Sequence, residues 1–251
     1  MIRIGIAGKG GVGKTTLSAL VILTLLRNGK KPILAVDADP NSNLNEALGI
    51  KRPEDLVSIV DKIEKMKNTL PAGMDKIQYL EFKLRDAISE NKGFDILLMG
   101  RTEGPGCYCY ANNLLRDILD KLEKNYSFIV MDSEAGFEHI SRRTSRNLDM
   151  LFIVSLCDKT SLRSAERIYQ MSKEIDLDIK NAYLVLNEFG KRSSQGEISS
   201  YFLNPLFTLP FDEEILNRSY EGKGIFDISD QSIAYNTVKA YLLPMLSYPN
   251  K

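Results

Sequence analysis

Apolar residues in this chain fall into short unbroken runs that alternate with longer stretches spaced three and four apart. The runs Ile2–Ala7, Lys31–Val36, Phe94–Met99, Tyr126–Asp132, Met150–Leu156 and Ile179–Leu186 read as strands. Between them lie segments with helical periodicity. These are Leu17–Leu26, stretches around Leu56–Lys67 and Phe82–Asn91, then Asn113–Glu123, Leu162–Ile175 and Asp230–Leu246. Pro71-Ala72-Gly73 breaks the second from the third. Strands alternating with helices predict an α/β fold, a mostly parallel central sheet flanked by helices. No internal repeat, low-complexity tract or linker interrupts the pattern, so residues 1–251 are read as one domain.

The first strand runs directly into Gly8-Lys9-Gly10-Gly11-Val12-Gly13-Lys14-Thr15-Thr16, and a helix follows. This is the full G-x-x-x-x-G-K-[ST] phosphate-binding pattern in its proper strand–helix setting, that of a P-loop NTPase. The glycines let the backbone turn tightly and aim successive N–H groups at phosphate oxygens. The helix start adds a positive end. Lys14 is expected at the β- and γ-phosphates, and the Thr15 hydroxyl at Mg²⁺.

Two strand ends carry further acids. Asp37-Ala38-Asp39-Pro40 closes the second strand, with Asn41-Ser42-Asn43 as turn and cap formers. Asp37 reads either as a cap or as an aid at Mg²⁺. Asp132 ends an apolar strand, as a carboxylate that holds Mg²⁺ through water does. Gly136 follows in Ser133-Glu134-Ala135-Gly136. His139, the single histidine, reads as structural before it reads as a ligand.

Composition narrows the field. Lys plus Arg equals Asp plus Glu, at 33 each, so no broad nucleic-acid surface is implied. Leu17–Leu26 is too short to span a bilayer, and no membrane partner is expected. Three cysteines do not make a disulfide framework, which points to a reducing cytoplasm. Cys107 and Cys109 stand one residue apart after a Gly104-Pro105-Gly106 turn and before a helical stretch. A helix start favours thiolate, and two such thiolates suit one soft metal. They do not close a four-coordinate site. A two-fold dimer axis would, giving four thiolates for Zn²⁺ or Ni²⁺, or for an iron–sulfur cluster. Cys157 reads as packing.

Lys9, the second lysine of the loop, resembles the "deviant" Walker A motif of MinD/ParA-type ATPases. The resemblance implies ATP hydrolysis in an ATP-dependent homodimer. Lys9 would reach the partner's nucleotide, and Lys9, Lys14 and Asp39 would be catalytic. Bound ATP carries about −4, while Mg²⁺, one lysine and a helix end supply roughly +3.5, so a second lysine would complete neutralisation. By the same resemblance Asp39 belongs to switch I, close to Mg²⁺ and the attacking water, and Asp132 and Gly136 to switch II. Asn187 would contact adenine, with Leu209-Pro210-Phe211-Asp212-Glu213-Glu214 as the second base loop. Two stretches, Gly104–Arg116 and Asp132–Thr144, look like CooC-type proteins, which help insert nickel into carbon monoxide dehydrogenase. That implies a Cys107/Cys109 metal site shared across the dimer and an apo nickel enzyme as client. The alternatives are a MinD/ParA-like positioning ATPase and an iron–sulfur electron-transfer ATPase. The cysteine spacing and the absence of a basic amphipathic tail speak against them.

Overall fold

The computed structural model describes residues 1–41, 43–65, 79, 82–83, 87–101, 123–133, 147–174, 177–187 and 202–247. The expectations for Cys107, Cys109, Gly136 and His139, and for the helix at Asn113–Glu123 up to residue 122, lie outside them.

Eight strands form one sheet: β1 (Ile2–Gly8), β2 (Ile33–Asp37), β3 (Ile88–Glu90), β4 (Asp95–Leu98), β5 (Phe128–Asp132), β6 (Asn147–Leu156), β7 (Asp178–Asn187) and β8 (Pro205–Leu209). Their spatial order is β3-β4-β2-β5-β1-β6-β7-β8. Every pairing is parallel except β3 with β4. The helices are α1 (Lys14–Arg27), α2 (Leu44–Ala47), α3 (Leu56–Lys65), α4 (Lys159–Glu174), α5 (Glu213–Tyr220) and α6 (Ile233–Ser247).

Side chains alternate across each strand, and the core divides accordingly. Ile4, Ile6, Ile33, Ala35, Ile96, Leu98 and Val130 face the layer that holds α1 and α6. Ala7, Leu34, Val36, Leu97, Ile129 and Met131 face the other, against α3 and α4. Burial on both faces explains why the strands read as apolar runs rather than alternating ones. Helix α1 is covered almost all round, with Leu17 to Leu25 buried between sheet and α6. Its last turn anchors a distant loop. Arg27 donates to the carbonyls of Phe226 (3.0 Å) and Ile228 (2.7 Å), pairs with Asp230, and lies over the Tyr235 ring.

Two of the expected elements needed revision, and two further elements were not anticipated. The helix expected over Phe82–Asn91 holds at Phe82 and Lys83, but Ile88–Glu90 is an antiparallel edge strand. Asn91-Lys92-Gly93-Phe94 is a hairpin turn, closed by Asn91 N donating to Phe94 O, 2.9 Å. The open edge of β4 supplied ladder partners that helical spacing alone does not anticipate. The second strand begins at Ile33, not Lys31, because Pro32 has no N–H for the ladder. Strand β8 and helix α5 were not anticipated. Asp212 followed by Glu213 and Glu214 was the missed start signal for α5.

Truncating Leu20, which is fully buried on α1, removes core volume on the side of the sheet that carries the phosphate loop. Urea denaturation of Leu20→Ala is expected to show a loss of about 3 kcal/mol. Tyr220→Ala, at a side chain 80% exposed, should stay within about 0.5 kcal/mol of the parent.

Candidate functional site

The carboxyl ends of the parallel strands meet at one edge, where an α/β sheet binds its ligands. There β1 delivers the glycine loop, β2 delivers Asp37, β5 delivers Asp132, and β7 delivers Asn187. A cleft of about 420 Å³ opens along this edge. Its walls include Gly10, Gly11, Gly13, Lys14, Thr15, Thr16, Asp39, Asn187, Pro210, Phe211 and Asp212. The glycine loop, Asp39, Asn187 and the segment at residues 209–212 thus share one cavity.

The first turn of α1 has no side-chain cap and no acidic residue. Its orphan N–H groups are left for an anion. Gly13 sits at φ 95°, ψ 22° immediately before the helix. The conformation calls for glycine, and a Cβ there would lie 2.3 Å from Asn187 Nδ2 and displace that amide. Gly8 is restricted as well, since a Cβ would meet the Val154 carbonyl at 2.5 Å. Lys14 is buried, and its ammonium lies 3.4 Å from the Lys9 carbonyl. The Lys9 side chain is exposed at the loop tip. Val12 is buried in the core beneath the loop.

Beneath Thr15 lie two carboxylates. Thr15 Oγ1 donates to Asp132 Oδ2 at 2.6 Å. Asp132 Oδ1 is buried and makes no hydrogen bond, and neither does the buried Ser133 Oγ. A hydroxyl beside a carboxylate with an unused oxygen is a hard-oxygen donor set, and it fits Mg²⁺. Asp39 lines the cleft, and its Oδ1 accepts from Asn41 N at 2.9 Å. Asp37 is fully buried. It accepts from Asp39 N (3.1 Å) and Leu44 N (2.9 Å), so it caps α2 and shapes the intervening loop. Asn43, expected as a cap former, makes no side-chain cap bond to this helix. Asp37 and Asp132 are register partners on adjacent strands. Burial, then the charge of Asp132, push the Asp37 carboxyl up to about 7. Burial raises Asp132 to about 6, opposed by Thr15 and the Lys14 charge.

At the base end, Asn187 Nδ2 donates to the Val12 carbonyl at 2.8 Å. The Asp212 carboxylate is fully committed. One oxygen accepts from Glu214 N and Ile215 N, and the other from Ser232 Oγ and Ala234 N. It therefore caps α5 and ties in the start of α6, and only its backbone is left to meet a ligand in the cleft. Ile215, Leu216, Ser219 and Ala234 complete this wall. Sequence reasoning missed the first three because they stand on α5, an element it had not recognised; Ala234 stands on the expected last helix, whose start nothing local ties to the cleft.

The family model for the AAA domain (AAA_31) matches residues 2–185. An uncharacterized ATP-binding protein of Methanocaldococcus jannaschii is 38% identical over 94% of this chain and 95% of its own length. The chain belongs to the AAA_31 family of AAA-domain P-loop ATPases. This ATPase is also 30% identical to the carbon monoxide dehydrogenase accessory protein CooC of Rhodospirillum rubrum, over 91% of this chain and 90% of that protein. In fold it superposes on a ParA family ATPase from Chlorobium tepidum with TM-score 0.71 and 20% identity, covering 96% of this chain and 97% of the other. No helix among the described residues is long and apolar enough to cross a membrane. Nor do those residues contain a group of three or more His, Cys, Asp or Glu able to hold a metal ion.

The two raised carboxyls give a pH dependence. Folded Asp37 and Asp132 hold protons that the unfolded chain releases near pH 4. Their contribution to stability is present in full below that value and is lost as pH rises through about 6 and 7. Nucleotide-free protein should therefore lose stability from pH 5 to pH 8 in urea denaturation. Asp132→Asn should flatten that slope.

Proposed function

We propose that this ATPase is a dimerising metallochaperone that helps insert nickel into carbon monoxide dehydrogenase or a related nickel enzyme of the cytoplasm. The observation that carries the reading is the Cys107/Cys109 pair in an ATPase of this family. The likeness to CooC along nearly the whole chain supports it. So does the path of the chain. Strand β4 leaves the sheet at the nucleotide edge, where Met99 N donates to the Asp37 carbonyl at 2.9 Å. Arg101, the last described residue there, precedes Cys107 by six positions.

ATP is the substrate. Its phosphates lie on the glycine loop and the open start of α1, with Lys14 neutralising charge between them. Thr15 and Asp132 hold Mg²⁺, which supplies charge stabilisation when bound. Asp39 orients the attacking water from the loop that Asp37 clamps. Adenine packs beside Phe211, and Asn187 offers its Oδ1 to the exocyclic amine. Guanine presents a carbonyl at that position, so the same atom disfavours it. Lys9, exposed at the loop tip, crosses to the phosphates of a second copy. Two copies bring two cysteine pairs together, and four thiolates take Ni²⁺ as cargo or bind Zn²⁺ in its place. Hydrolysis then loosens the Asp39 and Gly136 loops, opens the dimer and releases the metal.

Metal analysis combined with gel filtration tests the metal role. Wild-type protein with ATP should elute as a dimer carrying about one nickel per two chains, and Cys107→Ala/Cys109→Ala should carry none. Unchanged nickel stoichiometry in the double variant would sink the metallochaperone reading in favour of a positioning ATPase. Lys9→Ala should keep ATP binding and lose turnover, measured as phosphate release; wild-type turnover would remove the cross-dimer role.

A further inference from the structure

Asn187 occupies a position that base recognition alone does not explain. It ends β7, paired in register with Leu156 on one side and Leu209 on the other. Two flanking strands thus hold its backbone at the edge of the cleft. From there Nδ2 donates 2.8 Å to the carbonyl of Val12, 175 residues away in the chain. Val12 itself is buried, so that carbonyl needs a protein partner. The helical ladder of α1 begins one residue later, with Leu17 N donating to Gly13 O at 3.0 Å.

The peptide joining Val12 to Gly13 is planar and trans. Fixing the Val12 oxygen therefore fixes the Gly13 N–H on the opposite side of the same plane. Gly13 lines the cleft and stands at the head of the uncapped helix, a place suited to an anion. Its left-handed conformation leaves the loop more backbone freedom than an L-residue would have. The amide of Asn187 packs against the place a Cβ would take, 2.3 Å from Nδ2. A hydrogen bond on one side of a peptide also polarises the donor on the other.

We propose that Asn187 is a positioning residue for the phosphate loop, holding the Val12–Gly13 peptide so that the Gly13 N–H meets the phosphates. The residue acts on the triphosphate even when no base is present. This goes beyond the adenine contact, which uses Oδ1, and rests only on the phosphates lying in this loop.

The test separates base from phosphate. Inorganic tripolyphosphate with Mg²⁺ is used to displace a fluorescent ATP analogue from wild type, Asn187→Ala and Asn187→Asp. Asn187→Asp keeps the shape and replaces the donor with an acceptor. The inhibition constant for tripolyphosphate is expected to rise about tenfold in both variants, with thermal midpoints close to wild type and a shifted Gly13 amide resonance in a ¹H–¹⁵N spectrum. An inhibition constant within twofold of wild type in either variant overturns the proposal, whatever happens to ATP, because the residue would then read only the base. A measurement on the unaltered protein guards against misfolding of the variants. Without nucleotide, the Asn187 side-chain amide should exchange slowly with solvent; fast exchange would equally overturn the assignment.

Discussion

Backbone N–H groups at the start of α1 have no partner among the described side chains, and the rest of the site is arranged around that deficit. The helix is buried nearly all round, so its axis is set by packing against the sheet and α6. Its N-terminus is thereby held at the carboxyl edge of β1. Elsewhere the chain caps its helices. Asp212 satisfies the start of α5 and Asp37 that of α2. At α1 a capping acid would repel the ligand, and none is present. The left-handed Gly13 and the Asn187 bridge hold the loop in a shape that aims those donors outward.

The same edge carries an electrostatic burden. Asp37 and Asp132 are buried side by side, and each is pushed above the ordinary carboxylate range. Two charges this close and this dry oppose folding until a cation or proton offsets them. The arrangement has a use. Asp37 holds both Asp39 N and Leu44 N, and its carbonyl accepts from Met99 N at the end of β4. The charge state at the nucleotide is thus mechanically connected to the loop carrying Asp39. It is connected equally to the strand that leads toward Cys107.

Much of the site was legible because its chemistry is local. The spacing of Gly8, Gly13, Lys14 and Thr15 encodes a backbone turn that depends only on neighbouring φ and ψ angles. Apolar runs located β1, β5, β6 and β7 because strands buried on both faces carry no polar alternation. The segment at Phe82–Asn91 was misread for the complementary reason. Its helical spacing is a local property, and pairing of Ile88–Glu90 with β4 is not. Helix α5 escaped because it is only eight residues long and its apolar Ile215 and Leu216 are half-buried, although Asp212 and two acids marked its start. Asn43 was read as a cap former, but Asp37 supplies that bond from seven residues upstream.

By itself, the sequence determined the loop that binds phosphate, the long buried strands and the helices with strong apolar spacing, and the residue types at each strand end. These follow from short-range sterics and from hydrophobic periodicity. Only the tertiary structure decided which of those residues meet. Thr15 and Asp132 are 117 positions apart, and Val12 and Asn187 are 175 apart. Their contacts exist because β1 lies between β5 and β6, with β7 beside β6. Strand order is set by long-range pairing and shared burial, which no local pattern encodes. The shifts of Asp37 and Asp132 depend on that strand order, since it buries both carboxyls, and the Asp132 charge then adds to the effect of burial on Asp37.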